Sequence, residues 1–167
     1  HDYPVSRVEP GVLQSRVDDA GMWSQVPKGR VEFAGVPFDV TGLIRLAGRD
    51  AQRDGRYFAP HANGIPVGRS FDRLYVLHGT YYYDDEGATI SKARLHYRDG
   101  TTADLDIQYG RHVRNYWRQK YENPIRLADA ESRVVWTADS PMLAEYGNSL
   151  RLCASSLHNP NPEKVVE

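Results

Sequence analysis

From residue 89 to residue 109 apolar and polar side chains alternate with a period of two, the pattern of strands that cover one face. Ala93, Leu95 and Tyr97 alternate with Lys92, Arg94, His96 and Arg98. Beyond Asp99-Gly100, Ala103, Leu105, Ile107 and Tyr109 alternate with Asp104, Asp106 and Gln108. Loop length sets the register. A two-residue Asp99-Gly100 loop pairs Leu95 with Asp104 and puts the two apolar stripes on opposite faces. A three-residue loop, Arg98-Asp99-Gly100, pairs Leu95 with Ala103 and Ala93 with Leu105, which keeps a single apolar face. Parity therefore predicts a type I turn with Gly100 left-handed in a G1 bulge. The other face then sets Lys92, Arg94 and His96 across from Asp104, Asp106 and Gln108, a solvated charged surface.

The same reading along the chain predicts strands at 30–33, 38–40, 43–47, 65–67, 73–78, 89–97, 101–109, 133–138 and 149–154, with a last candidate at 164–166. Fourteen glycines and ten prolines break the sequence into these short runs, which favours strands over long helices. The segment 114–130 has room for a short helical turn, limited by Pro124. Residues 1–22 read as a lead-in with room for one edge strand, and 23–167 as one domain. The predicted class is all-β, an antiparallel β-sandwich with little helix.

Composition narrows the function classes. Lys plus Arg number 21 and Asp plus Glu 22, for a net charge of −1 without a basic block, so nucleic acid is not the expected partner. No apolar run reaches the length of a membrane span and no signal peptide is visible. The single Cys153 excludes an internal disulfide and offers no thiolate metal pattern. Eleven tyrosines stand against four phenylalanines. Tyrosine suits half-wet positions where a flat ring meets a polar partner or a ligand.

Several stretches together carry a resemblance: "VPKGRVEFAGVPFDV" (26–40), "VGRSFDRLYVLHGT" (67–80), "ARLHYRDGTTADLDIQYGRHVRNYW" (93–117) and "LHNPNPEKVVE" (157–167). Their order and spacing resemble a galactose-binding-like, jelly-roll β-sandwich domain of bacterial secreted and cell-surface proteins, often found beside polysaccharide-degrading modules. One departure is Leu157-His158, where an aromatic is expected before "NP". The resemblance implies a carbohydrate-binding or accessory module that recognises a polysaccharide or oligosaccharide and works with a catalytic domain of the same or a partner protein. It implies a secreted or cell-surface location and transfers no catalytic residues. A structural calcium ion in loop carbonyls and carboxylates also goes with such domains. Asp84, Asp85 and Glu86 are the candidates for it, and no other cofactor is expected.

The candidate ligand surface lies in two aromatic stretches. "HGTYYYDD" reads as a strand end feeding a loop, which releases Tyr81, Tyr82 and Tyr83 beside Asp84 and Asp85. Rings of this kind stack on the C–H face of a sugar while carboxylates bond its hydroxyls. "RHVRNYWRQKYEN" adds Tyr116, Trp117 and Tyr121 with Arg114 among them, although Trp117, like Trp23 and Trp136, also suits a core. An enzyme reading would pair His78 with a tyrosine of 81–83 and Arg111 or Arg114, the residue types with which a lyase abstracts a proton beside a carboxylate. A neutral histidine at a strand end is more often a satisfied structural residue. His1 has no second histidine at chelating spacing and is expected to be a processing remnant; the remaining histidines show no metal-site spacing either.

Overall fold

A computed structural model describes residues 25–53, 55, 57–120, 122, 127–139, 144–145 and 147–167. The chain is predominantly antiparallel β and divides into two compact units, His1–Val67 and Gly68–Glu167. The lead-in expected at 1–22, and Trp23, lie outside the described residues. Among those described, no helix is long and apolar enough to cross a membrane.

In the first unit, β1 (Gly29–Phe33) and β2 (Val36–Val40) form an antiparallel hairpin with Phe33 opposite Val36. The loop is the pair Ala34-Gly35, with φ of 53° and 78°; two positive values make a type I′ turn, whose twist matches that of the strands. Pro37 faces Glu32. The pair next to the closing pair is not hydrogen-bonded, so a missing N–H costs nothing there. Phe33 is buried and its ring lies 6.1 Å from that of Phe38. The helix α1 (Arg49–Arg53) buries Ala51 and closes with an Asp50–Arg53 ion pair at 3.0 Å. The strands expected at 43–47 and 65–67 do not form. Leu46 makes one parallel bridge to Ala59, and 65–67 has no regular structure. Apolar alternation alone does not make a strand without a partner ladder, and Ile44, Leu46 and Ile65 remain exposed.

The second unit carries β3 (Arg73–His78), β4 (Thr89–His96), β5 (Thr102–Gln108), β6 (Trp117–Arg118), β7 (Arg133–Ala138) and β8 (Ser149–His158). The β4–β5 pair adopts the three-residue-loop register, with Leu95 opposite Ala103 and Ala93 opposite Leu105. Gly100 N–H closes the turn on the Tyr97 carbonyl at 2.8 Å, and Gly100 has φ 82°, a region that glycine enters without a Cβ penalty. Leu95, Tyr97, Leu105, Ile107 and Tyr109 are buried. On the outer face Arg94 grips Asp104 with bonds of 2.6 and 2.9 Å, and Lys92 lies 3.5 Å from both Asp104 and Asp106.

Strand β8 is the centre of the other sheet. It pairs β7 along one edge, while β3 and β6 share the opposite edge in tandem, His78 facing Cys153 and Trp117 facing Leu150. It runs four residues past the expected end at 154 because β3 pairs with its second half. The Ser155-Ser156 pair looks like a strand end in sequence, yet Ser155 is 1% exposed. Its hydroxyl donates to the His112 carbonyl at 2.7 Å and meets His78 Nε2 at 2.8 Å. In place of a helical turn, the start of 114–130 holds the short strand β6; residues 121 and 123–126 lie outside the described set. At the end of the chain Val166 forms single bridges to Arg69 and to Tyr97 rather than a full strand.

A polar clip joins the hairpin to the far end of β8. Tyr97 Oη donates to Asn159 Oδ1 at 2.5 Å, Asn161 N–H donates to the same oxygen at 3.0 Å, and Asn159 Nδ2 donates to the Phe71 carbonyl at 2.9 Å. The "NPNP" stretch thus supplies a hydrogen-bonding element anchored by the fully buried Asn159.

Candidate functional site

Where β3 ends, the chain crosses beside 114–117. Thr80 N–H donates to the Arg114 carbonyl at 3.2 Å and Tyr116 N–H to the Thr80 carbonyl at 2.8 Å. The approach is close enough that a Cβ on Gly79 would stand 2.9 Å from Tyr116 Cβ. This contact brings together the two aromatic stretches, which begin 33 positions apart in sequence. It then sorts their rings.

Tyr116 is buried, and Tyr81 packs on it with ring centroids 5.5 Å apart. Tyr82 is half-buried, edge-on to Tyr81 at 4.7 Å, and the Thr80 hydroxyl donates to its carbonyl at 2.7 Å. Tyr83 is 43% exposed and yet held. Its hydroxyl donates to the Trp117 carbonyl at 3.1 Å, and its ring meets Tyr109 edge-on at 6.5 Å. Partial burial, with the Glu122 carboxylate nearby, pushes the Tyr83 phenol up to about 12, so it remains a donor at neutral pH. Trp117 is half-buried, its indole Nε1 inaccessible and without a hydrogen-bond partner; Trp136 is half-buried on β7. Asp84 and Asp85 are exposed, with the Asp85 N–H turned back onto Asp84 Oδ1 at 2.9 Å. Tyr121 lies outside the described residues.

Beneath these rings runs a chain of charges that the sequence did not disclose. Arg114 takes both oxygens of Glu86, at 2.6 and 3.1 Å, and lies over the Tyr109 ring with its guanidinium carbon 5.8 Å from the centroid. The same Arg114 Nη1 that bonds Glu86 lies 4.0 Å from Glu122 Oε1. Glu122 in turn accepts from Arg151 Nη2 with both oxygens, at 2.8 and 2.9 Å, while Arg151 Nε donates to the Asn115 carbonyl at 2.6 Å. Arg151 is wholly buried. Paired charges are the condition on which a guanidinium can be buried at all. Glu122, Arg151 and Tyr109 were missed as site residues. The one available signal was an arginine inside the apolar run "LRLCA" of β8, where alternation points it outward although that strand is covered on both faces.

The other candidates separate from this cluster. His78 is spent on Ser155: since the Ser155 hydroxyl hydrogen goes to the His112 carbonyl, His78 Nε2 must be the donor, and burial pushes its pKa down to about 4. The ring is thus buried, neutral and hydrogen-bonded to Ser155. Arg111 is exposed. Of the three carboxylates considered for calcium, Glu86 pairs with Arg114 and Asp84 accepts its neighbour's N–H, while Asp85 is exposed. Among the described residues no three His, Cys, Asp or Glu side chains gather as metal ligands.

No protein-family model, curated protein or solved structure matches this chain.

Proposed function

We propose that this chain is a non-catalytic carbohydrate-binding module of the jelly-roll sandwich type, which recognises a polysaccharide and assists an attached or partner glycan-degrading enzyme in a secreted or cell-surface setting. The observation that carries the reading is Tyr83: an exposed ring fixed at its hydroxyl by Trp117 and at its edge by Tyr109. A ring that is already immobile loses little entropy when a sugar stacks on it. Exposed Asp84 and Asp85 supply acceptors for hydroxyls beside it, and half-buried Tyr82 extends the same loop. Tyr81 and Tyr116 serve the packing beneath.

One stacked ring contributes on the order of 1 kcal/mol, so a single site binds weakly and gains from several subsites or from tethering. In affinity electrophoresis across a polysaccharide panel, Tyr83→Ala should weaken binding about fivefold, the equivalent of that ~1 kcal/mol, with the melting temperature nearly unchanged. A second reading, a spacer or protein-interaction module, draws on the inward packing of Tyr81 on Tyr116. It prevails if no glycan is retained and Tyr83→Ala changes nothing but stability.

A further inference from the structure

Resting on the sugar-binding reading, we propose that the ligand is an acidic polysaccharide, and that a uronate carboxylate binds Arg114 in place of Glu86. The Arg114–Glu86 contact is two-pronged, the geometry in which a guanidinium fork receives any carboxylate. The two partners are unequally held. Arg114 keeps 17% of its side chain exposed and is flanked by Tyr109 and Glu122, whereas Glu86 is 64% exposed on the loop that follows Tyr83. Glu86 can swing away while the guanidinium stays.

Charge counting selects the incoming group. With Glu86 in place, two arginines, 114 and 151, face two carboxylates, 86 and 122. Once Glu86 leaves, the cluster carries one excess positive charge beside a wholly buried Arg151, and only an anion restores the balance. Tyr83 and Arg114 both abut Tyr109, so a sugar ring stacked on Tyr83 sits close to the guanidinium that its own carboxylate would reach. A neutral sugar has the stacking surface but nothing to exchange for Glu86. Glu86 therefore acts as an internal competitor, and removing its charge should tighten binding rather than weaken it.

The test titrates the full chain with a uronate oligosaccharide, with the same oligosaccharide after carboxyl reduction, and with a sulfated oligosaccharide. The expected result is retention of the uronate with loss of the reduced form, weakening as salt rises. Glu86→Gln should then bind the uronate several-fold more tightly, and Arg114→Lys, which keeps the charge but loses the fork, about tenfold more weakly. Equal binding of uronate and reduced forms, or preference for the sulfated one, overturns this inference and leaves the sugar-binding reading standing. Weaker uronate binding by a fully folded Glu86→Gln protein also overturns it. If Glu86→Gln lowers the melting temperature, the reduced-form comparison and Arg114→Lys decide. Failure to bind any glycan on a broad panel overturns the sugar-binding reading itself.

Discussion

Ala34 holds φ 53° at the first position of the β1–β2 turn, where an L-residue carries a steric cost of roughly 1–2 kcal/mol that Asn tolerates better. Ala34→Asn should therefore raise the urea midpoint, with a gain of about 0.5–1 kcal/mol and an unchanged m-value. A neutral or lower midpoint would mean the turn is not type I′ in solution. This residue also marks a limit of local reading. The dipeptide Ala-Gly is a weak hairpin signal, and β1 and β2 were each expected, at 30–33 and 38–40, without the turn between them being assigned. At Gly100, by contrast, the alternation on both sides left one register, and the left-handed glycine followed from it.

At the scale of elements, the hairpin β4–β5 is joined to the "NPNP" stretch by Asn159, whose amide serves Tyr97, Asn161 and Phe71 while fully buried. Asn159→Ala strands those groups and should cost about 2–4 kcal/mol in chemical denaturation. Truncating Arg94, which belongs to an exposed ion pair on the same hairpin, should hardly move the midpoint, since solvent screens such pairs. A comparable loss in both variants would refute the clip. Strand β8 shows why element ends were harder to read than element existence. Its hydroxyl-bearing tail is buried because β3 lies alongside and the His112 carbonyl accepts from Ser155. Both partners are distant in sequence.

For the second unit as a whole, acid stability turns on buried neutral histidine. Burial lowers His78 from the ordinary 6.5 to about 4 and lowers His112 as well. Between those values the unfolded chain binds more protons than the folded one, so stability is complete above about pH 6.5 and falls as pH drops towards 4. For His78 alone the loss between pH 7.5 and pH 5 is on the order of 2 kcal/mol. Urea midpoints at the two pH values should differ accordingly in the parent chain and by much less in His78→Gln, where only the His112 contribution is left. A parent midpoint indifferent to pH would mean that His78 titrates as if exposed. The same histidine meets Ser155, 77 residues away in sequence, a partner that its neighbours Tyr81 to Tyr83 gave no means of reading.

The sequence by itself determined what short-range periodicity and turn chemistry can specify. That covers the antiparallel β class, the 73–78 and 133–138 strands, the register of β4–β5 and the charged outer face of that hairpin. These follow from a period of two and from loop parity, which involve only neighbours in the chain. Only the tertiary structure decided which tyrosines face water, that Arg114 meets Glu86, and that Arg151 is buried against Glu122. The same holds for the failure of 43–47 and 65–67 to become strands. Each of those outcomes depends on which distant segment lies alongside. Burial, pairing and charge compensation are properties of such encounters, and the order of residues along one segment does not contain them.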